Sequence, residues 1–150
     1  AGWLITHCLW AEVAVELGDH DVAGVLYERL LPWWRLFAAS GPFPLHAVAH
    51  SLGRRAALNG RIYDAKGHFT EALAVHQRMR APFCIAATQL AWGRLLLPHD
   101  PDGARRLLAN AATIAAQHGY GYLQRSVHNK EGAVLAAHKQ RASPVFDARQ

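Results

Sequence analysis

In SLGRRAALNGRIYDAKGHFTEAL, residues 51–73, small residues stand at Gly53, Gly60, Ala65 and Ala72, and Phe69 follows Ala65 by four. The same shape recurs upstream in Trp10-Ala11…Gly18-Asp19…Ala23…Leu26-Tyr27. It recurs downstream in Trp92-Gly93…Gly103-Ala104…Leu107-Leu108…Ala111. Aligning Ala11, Gly53, Gly93 and Gly132 gives successive spacings of 42, 40 and 39 residues. A period of roughly 34 to 47 residues, with small residues at fixed helical offsets, marks stacked helical hairpins. A mid-helix glycine is worth about 1 kcal/mol less than alanine, so Gly53 and Gly93 require a packing reason. Ala23, Ala65 and Ala104 fall in second helices, where they can meet those sites. Tyr27, Phe69 and Leu108, four residues later, fill the hole one turn on.

Working outward, a 3.6-residue period predicts a first helix over 3–17, ended by Gly18-Asp19. Asp21 opens a second helix, in which Pro32 forces a kink or an early end. The aromatic cluster Trp33, Trp34, Phe37 precedes a break at Ser40-Gly41-Pro42-Phe43-Pro44. Further helices are expected over about 45–58, 62–79, 83–97, 101–118 and 122–139, joined by Gly, Pro and Asp connectors. Period-two alternation is missing, so no strand is predicted. The expectation is an all-α, right-handed solenoid of about three and a half hairpins, seven helices in all. It occupies residues 1–142, with a flexible tail over 143–150.

Composition agrees. The chain is 51% hydrophobic and 18% charged, too apolar for a disordered segment. No uninterrupted apolar run approaches the roughly 18 residues of a membrane span, and residues 1–17 lack the basic start of a signal peptide. A soluble, cytoplasmic protein is expected. The start Ala1-Gly2-Trp3 suggests a piece of a longer chain. Cys8 and Cys84 belong to no metal-binding or redox motif and read as buried thiols. The net charge of +5 permits an acidic partner, but the arginines are dispersed and lack interleaved aromatics, which argues against nucleic acid.

Leu52-Gly53, Gly60, Ala65, Phe69 and Ala72 resemble the tetratricopeptide repeat pattern, with units stretched beyond its usual length. With Leu17-Gly18-Asp19, Leu26-Tyr27-Glu28, Leu31-Pro32-Trp33 and His68-Phe69, residues 3–120 resemble the C-terminal helical repeats of large actinobacterial regulators. Those are signal-transduction ATPases coupled to cyclase-like or LuxR-type DNA-binding domains. None of their catalytic motifs is present here. The resemblance implies a concave groove lined by first helices, carrying Cys8, Glu12 and Glu16, then His50, Arg54 and Ala57, then Leu90, Arg94 and Leu97, then Asn129. Arg54 and Arg94 fall at equivalent places and could clamp a carboxylate or phosphate.

Chemistry is less well supplied. His46 and His50 are spaced i, i+4, which would put two metal ligands on one helical face. The spacing places no third ligand, so no metal site and no cofactor are expected. Ser51 beside His50, and Ser126 near His128, do not form a nucleophile constellation, and Gly119-Tyr120-Gly121 is a helix terminator, so no enzyme is expected. The chain reads as a protein-interaction and regulatory module that binds a peptide, a protein or a neighbouring domain in its groove. Self-association through end helices is a second expectation. The alternative is a metabolite sensor with a pocket at Trp33, Trp34 and Phe37.

Overall fold

The structure is a computed structural model that describes residues 2–40 and 43–127. In chain order it contains α1 (Trp3–Leu17), α2 (His20–Leu30), a 3-10 turn (Leu31–Trp33), β1 (Phe37–Ser40) and β2 (Phe43–Ala47). There follow α3 (Val48–Leu58), α4 (Ile62–Arg78), α5 (Pro82–Leu96) and α6 (Pro101–His118). A further helical segment covers 121–127. The rest of the seventh helix expected to residue 139, the tail 143–150, Asn129 and Gly132 lie outside the described residues. No helix among the described residues is long and apolar enough to cross a membrane.

The helix ends have local causes. Gly18 and Gly119 both take the left-handed conformation, each with φ of 68°. Such a residue lets the chain turn back so that the next amides reach the orphaned carbonyls of the last turn. Asp19 N–H donates to Ala14 O and Tyr120 N–H to Ala115 O, each at 2.9 Å. Asp19 then caps α2 by accepting from Val22 N–H at 3.0 Å, and Asp100 caps α6 through Gly103 N–H at 2.9 Å. Pro32 ends α2 as expected: its missing amide is tolerated in the first turn of the 3-10 segment.

The chain departs from expectation between Phe37 and Ala47. β1 and β2 pair antiparallel, Phe37 opposite Ala47 and Ala38 opposite His46, with an irregularity between Ala38 and Ala39. The fold is therefore mostly helical with one two-stranded hairpin, and α3 begins at Val48 instead of Leu45. The reason is Pro44, which disfavours helical conformation at Phe43 and cannot donate to a ladder, though it is tolerated in a strand that has a free edge. Four residues, Phe37-Ala38-Ala39-Ser40, are too few and too poor in β-branched side chains to announce a strand.

Helix α1 packs on α2 and α3, α3 on α4 and α5, and α5 on α6. One core runs through α1–α4 and includes Leu26, Leu30, Leu52 and Phe69. A second joins α5, α6 and the 121–127 segment through Leu90, Leu108, Leu123 and Val127. The small residues explain the close approaches. A Cβ on Gly53 would lie 2.7 Å from the Phe69 ring, and one on Gly93 would lie 2.9 Å from Leu108. Ala23, Ala65 and Ala104 are all fully buried.

These contacts give opposite expectations for two helical glycines. Gly53→Ala should lower stability by about 1–3 kcal/mol, because the Phe69 ring would have to shift from its packed position and overpacking outweighs the helix-propensity gain. Gly67→Ala, where nothing lies within 4 Å, should raise stability by about 0.5–1 kcal/mol. Urea unfolding of the two variants beside the parent checks both signs.

Candidate functional site

Helices α3 and α5 and the 121–127 segment border a cavity of about 780 Å³. His50, Arg54 and Ala57 reach it from α3, Leu90 and Arg94 from α5, and Glu16 from α1. Its walls are otherwise largely apolar, with Leu58, Phe69, Leu95 and Leu123 among them. Of the residues expected in the groove, Glu12 stands behind Arg54 instead of on the cavity. Cys8 is fully buried, and Leu97 packs on the second core.

Arg54 and Arg94 share the cavity but differ in electrostatic state. Arg54 is engaged twice: Nη1 donates to Glu12 Oε2, and Nη2 donates to Glu16 Oε1 at 2.6 Å. Burial alone would weaken its charge, but the two carboxylates outweigh burial and hold its pKa above the usual range. The expectation of two guanidiniums available to one ligand therefore needs correcting, because Arg54 is already neutralised from α1. Arg94 has no carboxylate partner among the described residues. Its Nη2 donates to the Ser126 carbonyl at 2.7 Å, and its Nε is buried without a hydrogen-bond partner among the described residues. Burial first, then the charge of Arg54, push its pKa down. Arg94 is thus a partly buried cation whose charged form would be stabilised by an anion.

Behind Arg54 lies a buried polar network. His76 Nε2 accepts the Ala47 N–H at 2.9 Å, so its Nδ1 carries the proton and donates to Thr88 Oγ1 at 3.2 Å. Thr88 Oγ1 stands 2.8 Å from His50 Nδ1. His46 Nδ1–H donates to the Ala47 carbonyl at 3.0 Å. Ser51 Oγ donates to Glu12 Oε1 at 3.1 Å, so this hydroxyl serves the carboxylate and is not paired with His50. His46 comes from β2 and His50 from α3, which corrects the expectation of one helical face. Arg55 is fully buried, and none of its guanidinium nitrogens has a hydrogen-bond partner among the described residues. Burial lowers its pKa to about 10, against the pull of Glu12.

The aromatic pocket does not assemble. Trp33 joins Trp3, Leu4 and Leu36 in a shallow apolar cleft of about 210 Å³. Trp34 packs on the first core, with Arg35 4.6 Å above its ring, and Phe37 meets the edge of His76. The three residues face different neighbours because the chain turns from 3-10 to strand between them. Both cysteines are free and buried as expected, and burial raises their thiol pKa values.

Sequence reasoning missed the Glu12–Arg54 pair, although a signal was present. Glu12, Arg54 and Arg94 each follow the aligned small residue of their unit by one, and the ladder they form is acidic, basic, basic. Comparisons with family models, curated proteins and solved structures give no match to this chain.

The network has a pH consequence. Burial holds His46, His50 and His76 below their ordinary pKa, His76 at about 4. Below pH ~6.5 the unfolded chain takes up protons that the folded chain refuses, so stability rises with pH across this window. Stability should be complete above pH ~6.5 and fall steadily towards pH ~4, His76 alone contributing roughly 3 kcal/mol. Urea midpoints measured between pH 7.5 and 4.5 check this. His76→Gln should flatten the slope.

Proposed function

We propose that this chain is a cytoplasmic, tetratricopeptide-like right-handed solenoid acting as a non-catalytic protein-interaction and regulatory module. Its parent would be a larger signal-transduction ATPase or transcriptional regulator. The cavity between α3, α5 and 121–127 is the docking site, and its occupant is an acidic segment of a partner protein or of a neighbouring domain. What carries this reading is Arg94: a partly buried guanidinium on a cavity of mixed polar and apolar walls, with no carboxylate partner among the described residues while Arg54 beside it has two. An acidic side chain would complete a charge-assisted bond there, and flanking apolar side chains would cover Leu90 and Leu95. Binding would bias the parent between states without chemistry.

One observation favours the alternative of a metabolite sensor. The cavity volume of about 780 Å³ falls in the range of about 300–1,000 Å³ typical of small-molecule sites. In that case the ligand would be a small carboxylic acid bound at Arg94, not at the tryptophans.

The two readings separate in one experiment. A library of acidic peptides with apolar flanks is screened by fluorescence anisotropy against the parent, Arg94→Glu and Arg29→Glu, the last on the exposed side of α2. Peptide binding should weaken by about 10-fold or more in Arg94→Glu, remain in Arg29→Glu, and diminish with added salt. Binding insensitive to Arg94→Glu would contradict the docking site. Thermal stabilisation by free small acids, lost in Arg94→Glu while no peptide binds, would establish the sensor.

A further inference from the structure

Glu12, His46 and His50 bring one carboxylate and two imidazoles together where α1, β2 and α3 meet. One donor atom from each lies within 4.8 Å of the others. A point therefore exists within about 2.8 Å of all three, and zinc bonds of about 2.0–2.2 Å need only a small contraction. The edge from His46 Nε2 to Glu12 Oε1 is 3.6 Å, near the ~3.3 Å edge of a zinc tetrahedron.

The decisive feature is His46. Its Nδ1–H is committed to the Ala47 carbonyl, so its neutral ring presents a lone pair at Nε2. That nitrogen is buried and has no hydrogen-bond partner among the described residues. It lies 3.6 Å from Glu12 Oε1, an oxygen that also accepts from Ser51 Oγ. A buried ring nitrogen without a partner is unfavourable unless something positive occupies the space before it.

We propose that Glu12, His46 and His50 form a divalent-metal site of the zinc class, stapling α1 to the corner between β2 and α3. Two imidazoles and one carboxylate suit zinc over magnesium or calcium, which prefer all-oxygen shells. Each ligand already has an outer partner of the kind that orients metal ligands. His46 is held by the Ala47 carbonyl, His50 Nδ1–H would donate to Thr88 Oγ1 with Nε2 toward the metal, and Glu12 Oε2 accepts from Arg54 while Oε1, 3.6 Å from His46 Nε2, accepts from Ser51. Arg54 and Arg55 oppose a dication as they oppose a proton. Zinc, however, gains three coordinate bonds where a proton gains one hydrogen bond.

The test is equilibrium dialysis of the 150-residue chain against zinc chloride at pH 7.5, with X-ray absorption of the zinc-loaded protein. The expected results are one zinc per chain, four-coordinate, with two imidazoles in its shell. His46→Gln should weaken zinc binding by more than 10-fold, whereas His20→Gln and His118→Gln, at exposed histidines, should leave it unchanged. Six-coordinate zinc, fewer than two imidazoles, no stoichiometric zinc, or undiminished binding by His46→Gln would overturn the proposal. Should His46→Gln fail to fold, the absorption spectrum of the parent decides by the same criteria.

Discussion

The bonds from Arg54 to Glu12 and Glu16 tie the first helix to α3, which is distant from it in sequence. The residues that α1 buries, Cys8, Ala11 and Ala14, are small and bury little area each. With the Arg54 bonds, Glu12 is fixed in a position where one oxygen meets Arg54 and the other meets Ser51 and turns toward His46. One carboxylate thus orders two polar regions, the cavity on one side and the histidine network on the other. A partly buried, twice-bonded guanidinium differs from an exposed pair, whose contribution is usually under about 1 kcal/mol. Breaking it would also leave a charge in a poorly solvated place.

Packing sets where those charges can stand. Gly53 lets α4 approach until the Phe69 ring occupies the space a side chain would need, and Gly93 does the same for Leu108 on α6. Arg54 and Arg94 follow these glycines directly, so the close approaches position the guanidiniums at matching places on α3 and α5. Their environments then diverge for a simple reason. α1 supplies two acidic residues to Arg54, whereas the helical segment 121–127 offers Arg94 only the Ser126 carbonyl. The asymmetry is the basis for placing an acidic ligand at Arg94. It also explains why the two arginine pKa values shift in opposite directions: burial lowers both, but only at Arg54 do two carboxylates outweigh it.

Much of the framework was legible in the sequence because it is local or periodic. Gly18, Gly60 and Gly119 end helices through left-handed backbone, whereas the N-caps fall on Asp19 and Asp100 and not on the expected Asp21 and Asp102. The Gly53–Phe69 contact was readable because it recurs as Gly93–Leu108. The hairpin was not legible: β1 has no alternation to read, and Pro44 acts as a break before it acts as a strand residue. The site was legible in part. His50, Arg54 and Arg94 do line one cavity, but residue type alone could not show that Arg54 is neutralised from another helix. The histidine pair appeared to lack a third ligand because Glu12 is distant in sequence and enters only when α1 docks. Trp33, Trp34 and Phe37 are adjacent in sequence yet diverge in space, since a 3-10 turn and a strand send successive side chains different ways.

The most direct measurement is a double-mutant cycle on Glu12 and Arg54, using Glu12→Gln, Arg54→Gln and the double variant, each unfolded in urea at pH 7.5. If this bond joins α1 to the rest of the fold, the pair should show a coupling energy of about 1–3 kcal/mol, with the double variant less destabilised than the two single losses together. Coupling below about 0.5 kcal/mol would mean that the two residues act independently. The polar network would then lose its organising bond, and the electrostatic distinction between Arg54 and Arg94 would fall with it.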